Sequence, residues 1–166
     1  MSESGRWFLT CRPTDPDQIL ALMNPRRVSG TRNLADVRRV LIVDDNHDSA
    51  ELLALLLDRE GHETRVAHDP QDAIPLAESF RPHVAFLDIG LPGMDGFQLL
   101  EILRRIPDLA GCRFVAVTGY EEEVRGESGA RGFDAHLLKP IDLSSVVSLV
   151  LELGHPELAS VRPAIA

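Results

Sequence analysis

The chain alternates short, continuously apolar runs with longer segments whose apolar residues recur every three or four positions. Val40-Leu41-Ile42-Val43 is apolar throughout and ends at two acids, which predicts a strand buried on both faces. Asp48 to Glu60 follows with helical periodicity, apolar at Leu52, Leu53, Leu56 and Leu57, and Gly61 closes it. Glu63 to Ala67 predicts a second, weaker strand. Asp69 to Phe80 predicts a helix with Asp69 as N-cap and Pro70 in the first turn. Pro75 lies too deep for that role and predicts a bent or truncated helix. His83 to Leu87 reads as a third strand that stops at Asp88. Gly96 to Arg105 reads as a helix, apolar at Leu99, Ile102, Leu103 and Ile106. Phe114 to Val117 is a fourth strand, stopping at Thr118. Glu121 to Ala130 is the next helix, but Gly126 and Gly129 each cost about 1 kcal/mol relative to alanine, so a short, frayed or distorted helix is expected. Asp134 to Leu138 is a fifth strand, stopping at Lys139-Pro140. Asp142 to Leu153 is a last helix, apolar at Val146, Leu149, Val150 and Leu153.

Five strands alternating with five helices imply an α/β fold, a five-stranded parallel sheet with helices on both faces, over residues 39–153. Residues 1–38 read as an irregular N-terminal extension punctuated by Pro13, Pro16 and Pro25, with one short helical pattern from Asp17 to Met23. Residues 154–166, with Pro156 and Pro163, read as a loose tail. A length of 166 residues with 44% hydrophobic content suits one domain with residues to spare. The aliphatic run from Leu52 to Leu57 is far short of a membrane span, and no basic-then-apolar leader opens the chain, so a cytoplasmic protein is expected. Cys11 and Cys112 are far apart and form no CxxC pair, which argues against a disulfide scaffold or structural zinc.

Charge narrows the picture. The net charge is −9; residues 1–38 carry +2 and the remainder −11, so the body has no electrostatic footprint for nucleic acid. The chain has one lysine, Lys139, beside sixteen arginines. A lone lysine in an arginine-using sequence hints at a need for a compact point charge.

In parallel sheets the ligand site lies outside the carboxyl ends of the strands. Here four of the five predicted strands deliver a polar group to that edge: Asp44-Asp45, Asp88, Thr118 and Lys139. Three carboxylates in one pocket need a cation, and hard oxygen ligands favour Mg²⁺. A lysine and a threonine hydroxyl facing them suit the remaining oxygens of a phosphoryl group. The chemistry this set fits is phosphoryl transfer onto a carboxylate.

These residues resemble a known family. Val40 to Asn46, Phe86-Leu87-Asp88-Ile89-Gly90-Leu91-Pro92-Gly93-Met94-Asp95-Gly96, Val117-Thr118-Gly119-Tyr120 and Gly132 to Pro140 are together similar to response regulator receiver domains. The likeness is greatest to those of hybrid sensor kinases and single-domain regulators, and it spans about residues 38–153. The resemblance implies a flavodoxin-like doubly wound fold. It implies Asp88 as phospho-acceptor, Asp45 as direct Mg²⁺ ligand, Asp44 acting mainly through water, and the Gly90 carbonyl completing the metal shell. Lys139 would pair with the acceptor and its phosphate, beside Thr118, Gly119 and Gly90. Thr118 and His136 would form the switch, with His136 where the family often has an aromatic residue. A cis peptide before Pro140 is also implied.

The implied partners are a histidine kinase or histidine phosphotransfer protein and a separate downstream protein, since few residues follow Leu153. The expected role is a signalling receiver and not an enzyme. Two other readings stand beside it: a phosphorylation-independent interaction module on a receiver scaffold, and a metal-dependent phosphatase. The second of these needs an acid two residues after its nucleophile, where this chain has Gly90. The remaining histidines, His47, His62, His68, His83 and His155, show no ligand spacing and read as surface or packing residues. Asp95 reads as a helix cap. Thr118 and Lys139 are 21 positions apart, one fewer than the family pattern, and the shortfall falls in 121–130. Gly90 and Tyr120 flank the site, where control of the phosphoryl lifetime is expected.

Overall fold

In a computed structural model, the described residues are 37–119 and 132–154. The chain divides into two units, Met1–Asn33 and Leu34–Ala166, and every described residue belongs to the second. The readings for the N-terminal extension, for the helix at 121–130 with Tyr120, and for the tail with His155 lie outside the described residues.

The elements are β1 (Arg39–Val43), α1 (His47–Arg59), β2 (Glu63–Ala67), α2 (Pro70–Phe80), β3 (Val84–Asp88), α3 (Gly96–Arg104), a 3-10 turn (Pro107–Leu109), β4 (Arg113–Thr118), β5 (Ala135–Leu138) and α4 (Leu143–Gly154). The five strands form one parallel sheet in the order β2-β1-β3-β4-β5. The order reverses between β1 and β3. The loops leaving those two strands therefore run to opposite sides and leave a crevice at their carboxyl ends.

The apolar runs divide between two cores because successive strand side chains point to opposite faces. Leu41, Val43, Ala85, Leu87, Phe114 and Ala116 pack on one face, with Ala73 and Ala77 of α2 and Leu99, Leu100 and Leu103 of α3. Val40, Ile42, Val84, Phe86, Val115 and Val117 pack on the other, with Leu53 and Leu57 of α1 and Val146 and Val150 of α4. Each fully buried leucine or phenylalanine contributes about 1.5–3 kcal/mol.

Side-chain caps start the helices. Asn46, Asp69 and Asp95 accept from the backbone N–H groups of Ser49, Asp72 and Gln98. Asp142 accepts from Ser145 in the same way, and bonds from the Ser144 and Ser145 hydroxyls help hold its carboxyl below the usual carboxylate range. Capping of this kind contributes about 1 kcal/mol per helix.

Two expectations are corrected. α2 is not truncated: it runs unbroken from Pro70 to Phe80 through Pro75. Pro75 and Gln71, whose carbonyl loses its donor, are both exposed, so water can replace the missing bond. The buried face of α1 is Ala50, Leu53, Ala54 and Leu57, while Leu52 is 55% and Leu55 49% exposed. The leucines of α1 are too many for one stripe, and the small alanines are what allow the helix to approach the sheet.

Candidate functional site

Each site residue reaches the crevice because its strand ends there. β1 ends at Val43 and presents Asp44 and Asp45; β3 ends at Asp88; β4 ends at Thr118; β5 ends at Leu138 and is followed by Lys139. Asp44, Asp88 and Thr118 are buried, and Asp45 is exposed. One carboxylate oxygen from each of Asp44, Asp45 and Asp88 lies within 4.8 Å of the others.

Lys139 ties this group together. Its Nζ donates to Asp88 Oδ2 at 2.7 Å and to Asp44 Oδ2 at 2.8 Å. Its backbone N–H donates to the Thr118 carbonyl at 2.8 Å, which fixes the root of the side chain to the end of β4. The Lys139–Pro140 peptide is cis. Burial alone would depress the Lys139 ammonium, but hydrogen bonds and charge from Asp44 and Asp88 outweigh it and hold the group above the ordinary lysine value.

The carboxylates are further anchored by backbone. Asp88 Oδ1 accepts from the Gly90 N–H at 2.9 Å, and Asp44 Oδ1 accepts from the Asn46 N–H at 2.9 Å. Gly119 follows Thr118 directly and has open space around its Cα. His136 is half-buried in β5 opposite Ala116, with its ring 5.9 Å from that of Phe133; Thr118 pairs with Leu138. The structure thus gathers Asp44, Asp45, Asp88, Gly90, Thr118 and Lys139. His136 sits two residues before the strand end.

The donor set fits Mg²⁺. It is entirely carboxylate oxygen, clustered tightly enough to share one ion, and a cation is already needed there, since Lys139 serves two of the three acids. Residues 40–151 match the model of the response regulator receiver domain. The chain belongs to that family. It is a receiver domain of two-component signalling. Phosphorylation on aspartate is typical of receivers, and they bind Mg²⁺ through acidic residues.

This receiver is 34% identical over 112 residues to an uncharacterised 14.6 kDa protein in the sodA1 3′ region of Leptolyngbya boryana, covering 67% of this chain and 86% of that one. It is 30% identical over 113 residues to protein PilH of Pseudomonas aeruginosa, covering 68% and 93%. It is 34% identical over 114 residues to the DNA-binding response regulator MtrA of Mycobacterium tuberculosis, where the match spans only 49% of the relative's length. Among solved structures, the CheY-like receiver domain from Methylobacillus flagellatus superposes with a TM-score of 0.65 at 29% identity, over 70% of this chain and 98% of that one. The receiver domain of AraT from Geobacillus stearothermophilus gives 0.60 at 33%, over 70% and 94%.

Several contacts at this receiver's site have no counterpart in the sequence reading. His47 and His68, read as surface or packing, stack at 3.6 Å between ring centroids, and His68 Nδ1 lies 3.1 Å from the Asp44 carbonyl. Nothing in their spacing shows this. The pairing of Val43 with Ala67 carries the next residues, Asp44 and His68, out of the sheet side by side. Asn46 both caps α1 and donates to Asp44, a role that its place between an acid pair and a helix start could have indicated.

Proposed function

We propose that the chain is a phospho-accepting receiver of a two-component or phosphorelay system. Asp88 accepts the phosphoryl group from a histidine kinase or a histidine phosphotransfer protein in a Mg²⁺-dependent reaction. The observation that carries the reading is the Lys139 ammonium held at 2.7 Å from Asp88 and 2.8 Å from Asp44, in a group that also contains Asp45.

An Asp88 carboxylate oxygen attacks phosphorus in line, and the bond from phosphorus to the donor imidazole nitrogen breaks. The nitrogen leaves with the bonding pair and takes a proton, and an acyl phosphate remains on Asp88. Lys139 stays beside the reacting carboxylate and presents a fixed charge to the phosphoryl oxygens. Thr118 and the backbone at Gly90 and Gly119 offer hydrogen bonds to the same oxygens. Asp44, Asp45 and Asp88, with the Gly90 carbonyl as a further oxygen donor, would hold Mg²⁺, which would supply positive charge against the carboxylates and the incoming phosphoryl group.

The role is stoichiometric signalling and not turnover of a substrate. The altered surface, with Thr118 and His136 as the switch pair, is read by a downstream protein. A protein working with a histidine kinase in this way belongs in the cytoplasm; no helix among the described residues is long and apolar enough to cross a membrane.

Incubation with a small acyl phosphate and Mg²⁺, followed by intact-mass measurement, tests the reading. One phosphoryl group is expected on the wild-type chain and none on Asp88→Asn. A wild-type chain that gains no Asp88-dependent mass is instead an interaction module on a receiver scaffold.

A further inference from the structure

We propose that Gly96 is a positioning residue for the acceptor: the bare Cα at the first turn of α3 lets that turn press against the Asp88 peptide and so sets where the Asp88 carboxylate sits. The inference rests on the reading of Asp88 as the phospho-acceptor.

The contact is unusually close. A Cβ at Gly96 would lie 2.5 Å from the Asp88 carbonyl oxygen, 2.9 Å from Ile89 Cα and 3.1 Å from the Asp88 carbonyl carbon. Even a close carbon-to-carbonyl-oxygen contact stays near about 3.3 Å. All three atoms are backbone, so no side-chain rotation relieves the overlap. Gly96 is buried, and its φ is not in the left-handed region, so its constraint is space and not backbone conformation. Gly93, by contrast, has φ of +81° and open surroundings, and a Cβ at Gly111 meets nothing within 4 Å.

The backbone at Ile89 is held from both sides. The Ile89 N–H donates to the Val117 carbonyl at 2.9 Å, and the Gly96 N–H donates to the Ile89 carbonyl at 3.1 Å. α3 is itself fixed at this end by a reciprocal cap, in which Asp95 accepts from the Gln98 N–H and the Gln98 side chain accepts from the Asp95 N–H. The acceptor's backbone is therefore clamped between β4 and the first turn of α3. Beyond the clamp, the Asp88 carboxylate meets Lys139 at 2.7 Å. An added methyl must push apart either the helix start or the acceptor peptide, and both belong to the clamp.

Gly96→Ala tests this with acetyl phosphate as donor on the full chain. Transfer joins phosphorus to an Asp88 oxygen and releases acetate. The maximal rate and the half-saturating Mg²⁺ and donor concentrations are measured for wild type, Gly96→Ala and Leu109→Ala. Leu109 is buried in the 3-10 turn before the opposite end of β4, so its truncation loosens the core away from the site. Alanine is the better helix former, so propensity alone predicts no loss at position 96. The expected result is a maximal rate about ten- to a hundredfold lower for Gly96→Ala, the scale of a displacement of order 1 Å, with Leu109→Ala close to wild type well below its melting temperature. A Gly96→Ala rate within twofold of wild type, or an equal loss in both variants, overturns the inference. If Gly96→Ala does not fold, Asp95→Ala, which frees the first turn without adding an atom, takes its place: slowed transfer supports the clamp and an unchanged rate overturns it. A wild-type chain that is not phosphorylated at all overturns the functional reading itself and the inference with it.

Discussion

Lys139 Nζ donates to Asp88 Oδ2 at 2.7 Å across 51 positions of sequence, and it reaches Asp44 Oδ2 at 2.8 Å in the same geometry. One ammonium therefore balances two buried carboxylates. Replacing it by methionine keeps the length of the side chain and removes the charge. Lys139→Met should slow phosphorylation by acetyl phosphate by about 10²- to 10³-fold, the scale of losing one fixed electrostatic contact to a developing charge. Lys139→Arg should not restore the rate, because a planar guanidinium cannot occupy the space of a point charge between two carboxylates. The alkaline limit follows from the raised ammonium. Its stabilising contribution is complete below the unfolded lysine value of 10.5 and is lost as pH rises through the higher folded value. Denaturation profiles of wild type and Lys139→Met should converge only above that range. Convergence already at neutral pH would contradict the pairing.

The strands were legible because a parallel sheet covered on both faces demands uninterrupted apolar runs, and Val40 to Val43 and Phe114 to Val117 supply them. The site was legible for a related reason: those runs stop abruptly at Asp44, Asp88, Thr118 and Lys139, and topology gathers strand ends. What periodicity could not convey was depth and close approach. It counts Leu52 on the apolar side of its helix because leucine is apolar, whereas Ala50 and Ala54 are the residues small enough to lie against the sheet. It judged Pro75 by its position in the helix and not by the solvent on its side. Gly96 reads as a helix start, and only the 2.5 Å that would separate an added Cβ from the Asp88 carbonyl oxygen shows why no larger residue fits. The His47–His68 stack depends on strand register, which no local pattern encodes.

Two imidazoles grip consecutive amides where β1 begins. His62 Nδ1 accepts from the Arg38 N–H at 3.3 Å, and His83 Nδ1 accepts from the Arg39 N–H at 3.0 Å. Only a neutral ring can accept there. Burial, with the nearby charges of Arg39 and Arg38, holds His83 below the ordinary value of 6.5. The unfolded chain thus takes up this proton first as pH falls, and stability present above 6.5 is lost on acidification. His83→Asn keeps an oxygen acceptor for Arg39 and removes the titration. Its urea midpoint should fall less than that of wild type between about pH 7.5 and pH 5, the range in which histidine titrates. Equal falls in both proteins would show that His83 does not contribute.

Asp134 offers a case in which magnitudes decide between two explanations of one residue. Its carboxylate accepts from the Phe114 N–H at 2.8 Å and pairs with Arg113 at 3.1 Å and Arg104 at 3.3 Å; Arg104 also donates to the Gly132 carbonyl and lies over the Phe114 ring. The two arginine side chains are 39% and 42% exposed, so each ion pair is worth about 0–1 kcal/mol. The Phe114 N–H belongs to a buried strand residue, and leaving it without an acceptor costs about 1–3 kcal/mol. Asp134→Asn retains an oxygen for that N–H and should lose less than about 1 kcal/mol, a loss that fades in high salt. Asp134→Ala should lose the larger amount at every salt concentration. Urea denaturation of both variants at low and high salt separates the contributions. A salt-sensitive loss of equal size in the two would assign the role of Asp134 to its charge and not to the strand it caps.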